Sequence, residues 1–155
     1  MRAATLIFFI LLCQAVGLLG ARWTAPEIAG WYRGLRKPAF NPPSWIFGPV
    51  WTLLYVLMAI AAWRVTQLPA STARTIALAL FAIQLALNLF WTWIFFRCHR
   101  IAAALIELVF LWLAIAATTV AFAILDPLAA WLMAPYLAWT AFATLLNAAI
   151  RRLNN

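Results

Sequence analysis

The stretch IAAALIELVFLWLAIAATTVAFAIL, residues 101–125, carries a single charged side chain, Glu107, along its whole length. About 20 consecutive apolar residues are enough for an α-helix to cross the hydrocarbon core of a bilayer. Lipid offers no hydrogen bonds to the backbone, so a spanning segment must be a helix or part of a closed barrel. This stretch is too long for a barrel strand and does not alternate polar with apolar residues. It therefore predicts a transmembrane helix.

Four further apolar runs resemble this stretch, at about residues 4–19, 45–65, 73–96 and 128–150. The chain is 68% hydrophobic and 9% charged, whereas a soluble domain is about half apolar and about a quarter charged. The connections between the later runs are short, which makes neighbouring helices antiparallel. We expect an all-α integral membrane bundle of five transmembrane helices that forms one domain over residues 1–155.

The segment that follows the first run is the least regular part of the chain. The first run itself resembles a secretory signal peptide, because an apolar stretch follows Arg2 and the small residues Gly20-Ala21 could serve as a cleavage site. We favour a retained helix, because everything downstream is also embedded in the membrane. Residues 22–44 then form the one sizeable loop. We expect a short helix there from Pro26 to Leu35, with Thr24 as its N-cap, and an extended proline-rich segment after it.

The basic residues indicate a topology. The formal net charge is +8, but the Lys and Arg residues lie mostly at the ends of apolar runs and form no patch. A nucleic-acid partner is therefore not expected. Eight basic residues fall on the side of the long loop and three on the other: Arg22, Arg33, Arg36, Lys37, Arg97, Arg100, Arg151 and Arg152 against Arg2, Arg64 and Arg74. Cytoplasmic loops carry the excess of Lys and Arg. We expect the long loop and the C-terminus in the cytoplasm and the N-terminus outside, in a membrane that the sequence does not identify.

Aromatic and amide side chains recur on one face of three predicted helices. On the third run, helical spacing brings together Gln84, Asn88, Trp91 and Phe95. The same pattern is formed by Trp51, Tyr55 and Met58 on the second run and by Pro135, Trp139, Ala143 and Asn147 on the fifth. Such stripes either hydrogen-bond membrane helices to one another or line a flat apolar cavity with a few polar anchors. Spacing alone leaves both interpretations open.

Glu107 is the only carboxylate inside an apolar run. An intramembrane carboxylate is costly and suggests a functional group. We place a structural role, in which it is protonated or held by Arg100, slightly ahead of a functional one. Cys98 and His99 adjoin in one turn without the partners that a metal site needs. No metal or cofactor is expected, and no motif for hydrolysis or phosphoryl transfer is present.

Several segments together resemble one known family. In chain order they are Trp31-Tyr32, KPAFNPPSW at 37–45, PVWTLLY at 49–55, QLALN at 84–88, Phe95-Phe96, PYLAW at 135–139 and ATLLN at 143–147. Their order and spacing resemble the translocator protein/tryptophan-rich sensory protein family, TspO/MBR. The resemblance implies a five-helix bundle that binds porphyrins such as protoporphyrin IX, sterols, and synthetic isoquinoline or benzodiazepine ligands. It also implies that the first long loop is a lid over the pocket.

The resemblance further implies which residues form the pocket. The matching positions are Trp31, Tyr32, Phe40, Pro42, Pro43, Trp51, Gln84, Asn88, Trp91, Trp139, Ala143 and Leu146. Phe40 stands where the family usually has tryptophan, so stacking survives but the indole donor is lost. Residues 145–151 lack the aromatic residue of the proposed cholesterol motif, which is a weak pattern in any case. Sterol recognition at that site is therefore not expected.

Three functions fit these features. The first is a receptor-like protein that binds a porphyrin and acts in tetrapyrrole or stress regulation. The second is an enzyme that degrades the porphyrin with light and oxygen, with Trp31 and Trp139 as candidate electron donors. The third is a porphyrin or sterol transporter, which would be expected to show an inverted repeat or a pair of broken helices, and neither is seen. The sequence does not decide between the first two.

A second copy of the chain is the remaining expected partner, besides the ligand and the lipid bilayer. Ala82 and Ala86 form a small-xxx-small pair on the third run, roughly 160° around the helix from Gln84. Small residues at this spacing let two membrane helices approach closely. We expect a homodimer through this face, with the pocket on the opposite face.

Overall fold

The computed structural model describes all residues from 1 to 155 and contains only helices and their connections. The helices are α1 (Arg2–Ala29), α2 (Trp31–Gly34), α3 (Phe47–Thr66), α4 (Thr72–Thr92), α5 (Ile101–Leu125) and α6 (Pro127–Leu153). A 3₁₀ turn, Ser44–Ile46, leads into α3, and a π-helical turn, Trp93–Arg97, continues α4. Five of the helical segments are long and apolar enough to cross a membrane. The predicted all-α, five-helix membrane bundle is confirmed, and the chain is an integral, multi-pass membrane protein.

The five long helices close into a ring. α5 packs between α4 and α6, α3 packs between α6 and α1, and α1 completes the ring against α4. Fully buried alanines on α3, among them Ala59, Ala61 and Ala62, sit where neighbouring helices meet. Small side chains allow this close approach in the absence of a hydrophobic driving force between helices in lipid. The chain crosses five times, so loop 30–46, the turn 98–100 and the C-terminus share one end of the bundle, which we call the loop end.

The first loop differs from the sequence prediction. Thr24 does not cap a helix but lies inside α1, where its Oγ1 donates to the Gly20 carbonyl at 3.0 Å. Pro26 also lies inside α1, which continues to Ala29. The loop therefore does not begin at residue 22, and the predicted separate helix from Pro26 to Leu35 is wrong in its bounds. Residues 26–29 belong to α1, and the separate short helix is only the four residues of α2. A proline forfeits one backbone hydrogen bond, and membrane helices tolerate it when the freed groups find other partners.

The turn between α5 and α6 is fixed by a carboxylate. Asp126 accepts a hydrogen bond from the Leu128 amide at 3.1 Å and so caps α6, with Pro127 at its first position. Its carboxylate also pairs with Arg64 at the end of α3, at 2.7 Å. This hydrogen bond from Arg64 is the main reason that the pKa of Asp126 lies below its usual value. The pair ties the end of α3 to the start of α6, at the end of the bundle opposite the loop end.

The π-helical turn at the end of α4 was not predicted. Here the Cys98 amide donates to the Trp93 carbonyl at 3.0 Å, five residues back along the chain. A π turn rotates the side chains that follow it relative to a regular α-helix, and such turns are frequent at functional sites. Phe95 and Phe96 lie within it, and both face the cavity described next.

Candidate ligand-binding site

A cavity of about 300 Å³ lies between α1, α3, α4 and α6, towards the loop end of the bundle. This volume is at the lower end of the range for small-molecule sites. Its walls are mainly apolar and aromatic, with contributions from α2 and the π-helical turn. The aromatic residues that line it are Tyr32, Phe47, Trp51, Tyr55, Trp91, Phe95, Phe96, Trp139 and Phe142.

Two tryptophans of the aromatic wall, Trp51 and Trp139, each pack against two further rings of the wall. The Trp51 ring lies 5.8 Å from Tyr55 and 6.4 Å from Trp91, measured between ring centroids. The Trp139 ring lies 6.1 Å from Phe47 and 5.5 Å from Phe142. Aromatic pairs at 4.5–7 Å stabilise one another by their edge-to-face or offset arrangement. The rings therefore hold each other in place around the cavity, and they suit a flat apolar ligand.

A buried hydrogen-bond network lies at the inner end of the cavity. The Tyr55 hydroxyl donates to Asn88 Oδ1 at 3.1 Å, and Asn88 Nδ2 donates to the Tyr136 hydroxyl at 2.6 Å. The Tyr136 hydroxyl in turn donates to Gln84 Oε1 at 2.8 Å. These four side chains come from α3, α4 and α6, so the network ties three helices together. Both ends of the Asn88 amide are thereby engaged within the protein, whereas Gln84 is held only through its Oε1 and its Nε2 has no partner.

The stripes on the three helices thus serve both roles that the sequence left open. Asn88, Trp91 and Phe95 line the cavity, whereas Gln84 is fully buried beyond it and contributes to the helix-to-helix network. On α6, Asn147 lines the cavity while its side chain accepts from Trp91 Nε1 at 3.4 Å and donates to the Ile101 carbonyl at 3.1 Å. The amides hold the bundle together, and the rings form the cavity wall.

Seven of the twelve expected pocket positions line the cavity: Tyr32, Trp51, Asn88, Trp91, Trp139, Ala143 and Leu146. The other five are Trp31, Phe40, Pro42, Pro43 and Gln84, and they lie outside its wall. Phe40 is exposed, with its ring centroid 6.1 Å from that of Phe142, and Pro43 is also exposed. The Trp31 ring makes a T-shaped contact with Phe95, with 5.5 Å between ring centroids, so it supports the wall from outside.

The α1 side of the cavity was missed by the sequence analysis. Gly17 faces Tyr55 so closely that a Cβ built on Gly17 would lie 2.8 Å from the Tyr55 ring. Nearby, Gln14 Nε2 donates to the Thr52 carbonyl at 3.1 Å and links α1 to α3. Gly17 and Gly20 could have indicated this side of the cavity, because small residues in an apolar run mark places where another helix approaches closely. Their partner could not be read from the sequence.

Polar contacts within loop 30–46 hold its own segments together at the loop end. The Tyr32 hydroxyl donates to Asn41 Oδ1 at 3.0 Å, and burial raises the pKa of Tyr32 to about 12, which keeps this donor neutral. Lys37 Nζ lies 4.8 Å from the Tyr32 ring centroid and also donates to the Leu35 carbonyl at 3.0 Å. These contacts place a cation beside a residue that lines the cavity mouth.

The C-terminus holds the same loop from the other side. Asn154 Nδ2 donates to the Arg36 carbonyl at 2.8 Å, and Asn154 Oδ1 accepts from the Arg36 amide at 3.0 Å. One side chain thus satisfies both backbone groups of a loop residue. Tying down the backbone in this way orders a loop that would otherwise be mobile.

Glu107 is buried in α5, and neither of its carboxylate oxygens has a hydrogen-bond partner. The salt bridge to Arg100 that the sequence suggested is not formed. Glu107 does not line the cavity. A carboxylate without a partner in lipid would be strongly disfavoured, so the side chain is expected to be neutral.

Comparison with known proteins gives a consistent result. The profile of the TspO/MBR family matches residues 9–153. A protein named tryptophan-rich protein TspO from Chlorobaculum tepidum is 40% identical over 97% of this chain and 96% of its own length. The tryptophan-rich sensory protein of Cereibacter sphaeroides is 45% identical, covering 97% and 92%. The human translocator protein is 43% identical, covering 88% and 82%.

Proposed function

This chain belongs to the TspO/MBR family, and we propose that it is a membrane receptor that binds a porphyrin in the aromatic cavity and acts in tetrapyrrole or stress regulation. Flat isoquinoline- or benzodiazepine-type molecules fit the same proposal. The observation that carries it is the ring of aromatic side chains around a cavity whose amides are already occupied. Such a site favours a large apolar π-system over a polar ligand.

The charge at the loop end supports a porphyrin in particular. A protoporphyrin is a flat apolar ring with carboxylates along one edge. Lys37 lies against Tyr32 at the mouth of the cavity, and the exposed Arg33 and Arg36 belong to the same segment. With the ring among the tryptophans, the carboxylates would face these cations, where water also remains available. The name of one relative, a sensory protein, agrees with a receptor role.

Replacing single tryptophans tests this proposal. Trp51→Ala and Trp139→Ala each remove one large contact from the cavity wall and should weaken protoporphyrin binding by about 1–3 kcal/mol. Trp131→Ala is the matched control, because Trp131 lies on α6 like Trp139 but is 74% exposed at the outside of the bundle. Binding is measured by quenching of tryptophan fluorescence. Unchanged affinity in both cavity variants would exclude this cavity as the porphyrin site.

Light- and oxygen-dependent degradation of the porphyrin is the second candidate. Three oxidisable indoles, those of Trp51, Trp91 and Trp139, line the cavity and would lie beside a bound ring. Trp31 lies outside the wall, which leaves Trp139 as the better of the two suggested electron donors.

The absorbance of bound porphyrin, followed in light and dark with and without oxygen, tests the enzymatic role. An enzyme would accelerate bleaching beyond that of free porphyrin in the same detergent, only with light and oxygen. Trp139→Phe should then slow the reaction more than it weakens binding. Bleaching at the rate of free porphyrin would exclude the enzymatic role, and the receptor role would then remain.

A further inference from the structure

A three-residue contact at the loop end is used neither by the cavity wall nor by the buried network. His99 lies in the turn before α5, where its φ of 55° is in the left-handed region. Its Nε2 lies 3.0 Å from Glu27 Oε2, and its ring stacks on the Trp31 indole at 4.2 Å with 14° between the planes. The structure has two salt bridges, the Arg64–Asp126 pair and this His99–Glu27 pair.

Each member of this contact is attached to a different part of the cavity mouth. Glu27, near the end of α1, precedes Ile28, which lines the cavity. Trp31, in α2, precedes Tyr32, which also lines it. His99 follows the π-helical turn, whose Phe95 contacts both the Trp31 ring and the cavity. The contact therefore ties together α1, α2 and the end of α4 around one opening.

We propose that His99, Glu27 and Trp31 form a pH-dependent latch, the His99 latch, which holds the loop closed over the cavity when His99 is protonated. A protonated imidazole makes a charge-assisted hydrogen bond to the Glu27 carboxylate, which is stronger than its neutral counterpart. It also places a cation on the face of the Trp31 indole, the best aromatic partner for a cation. A neutral His99 loses the ion pair and the cation–π contact, and only the ring stacking and a weaker hydrogen bond from a neutral N–H to the Glu27 carboxylate remain.

Among the charged side chains at the loop end, only His99 forms a salt bridge with Glu27. The other charged groups at the loop end are arginines and a lysine: Arg22 on α1, Arg33, Arg36 and Lys37 in the loop, Arg97 and Arg100 beside His99, and Arg151 and Arg152 on α6. None of them forms a salt bridge with Glu27. Histidine is the side chain whose charge changes between about pH 5 and 8. The latch therefore holds on the acidic side of this range and loosens on the alkaline side.

Access of a reagent to the cavity tests the latch without any ligand. The parent protein carries Cys13→Ala and Cys98→Ser, with Ala143→Cys as the single thiol on the cavity wall. Alkylation of this thiol by a water-soluble maleimide reports how often the loop opens. The key variant is His99→Asn, because asparagine tolerates a left-handed backbone and stays polar but carries no charge.

The rate ratio of variant to parent cancels the intrinsic pH dependence of the thiol. We expect His99→Asn to speed alkylation about three- to tenfold at about pH 5.5, from loss of a half-exposed ion pair and a cation–π contact. At about pH 8, above the range in which histidine side chains ordinarily carry a charge, the ratio should fall below about twofold. Glu27→Gln removes the other partner of the same pair and should give the same pattern of rate ratios. Agreement between the two variants would show that the effect does not come from a folding defect caused by the change at position 99.

Arg97→Gln is the matched control, because this exposed arginine lies in the same region and forms no side-chain hydrogen bond or salt bridge. It should leave the rate unchanged at both pH values. The same ratio at both pH values for His99→Asn, or an equal effect of Arg97→Gln, would overturn the latch. Because no porphyrin is used, failure of the latch and failure of porphyrin binding remain separate results.

Discussion

Replacing Tyr136 by phenylalanine would remove the central hydroxyl of the buried network. This hydroxyl accepts from Asn88 and donates to Gln84 in the interior of the bundle, and Tyr136 itself is fully buried. The change would leave Asn88 Nδ2 without an acceptor. It would also leave the Gln84 side chain without any partner, since Gln84 Nε2 already has none. Gln84 is fully buried and Asn88 almost so, which leaves little access for water to replace the lost bonds.

The expected cost follows from the two bonds. Hydrogen bonds between membrane helices contribute on average about 0.6 kcal/mol and at most about 1.7 kcal/mol each. Two of them give about 1–3 kcal/mol, and the newly unsatisfied amides favour the upper half of this range. The phenylalanine ring preserves the apolar contacts of Tyr136, including its edge contact with Trp51 at 6.2 Å. The loss is therefore attributable to the hydroxyl.

The free energy of unfolding is measured by titrating the detergent-solubilised protein with SDS and following helix content by circular dichroism. Tyr32→Phe is the matched control, because it also deletes one hydroxyl hydrogen bond, to Asn41, but in the loop. The group left without its partner is Asn41, which is only partly buried and can be hydrated, so the control should cost less than about 1 kcal/mol. A Tyr136→Phe protein as stable as the parent, or no less stable than the control, would refute the role of the network.

Three further predictions concern charge, assembly and orientation. Arg64 lowers the pKa of Asp126 in the folded protein, so the pair stabilises the fold above the ordinary carboxylate range and loses its effect as the pH falls below about 4. In acid titrations monitored by circular dichroism, Asp126→Asn should be less stable than the parent at neutral pH and converge with it in acid; a constant difference would contradict this. Ala82 and Ala86 are exposed on α4 and line a shallow apolar groove with α1. Ala82→Leu with Ala86→Leu should shift the protein towards monomer in light scattering without loss of porphyrin binding, and an unaffected dimer would remove this face from the interface. Finally, a cysteine placed before Ala4 should react with an impermeant reagent from outside, whereas one placed after Asn155 should not; the reverse pattern would put the loop outside.

The sequence alone determined the class of fold, because a membrane imposes a local rule. Each spanning segment must be about 20 apolar residues long and must satisfy its backbone internally, and both conditions can be read from a single stretch such as residues 101–125. α5 begins and ends at the residues that the stretch predicts. The faces of the helices were also readable, since side chains spaced three and four apart, such as Asn88 and Trp91, share a face of any helix. Proline predicted the ends of helices less well, since Pro26 lies inside α1 rather than at the start of a new helix.

Only the tertiary structure decided which of these faces meet and what they do together. Whether an amide binds a ligand or another helix depends on groups far away in the chain, as Gln84 and Tyr136 show with their hydrogen bond. The sequence gives the residue type but not the partner. The same holds for Gly17, whose lack of a side chain matters only because Tyr55 packs against it. His99 and Glu27 are separated along the chain by α2, α3, α4 and the π-helical turn. Their pairing at 3.0 Å exists only because the ring of helices brings the end of α1 next to the end of this turn.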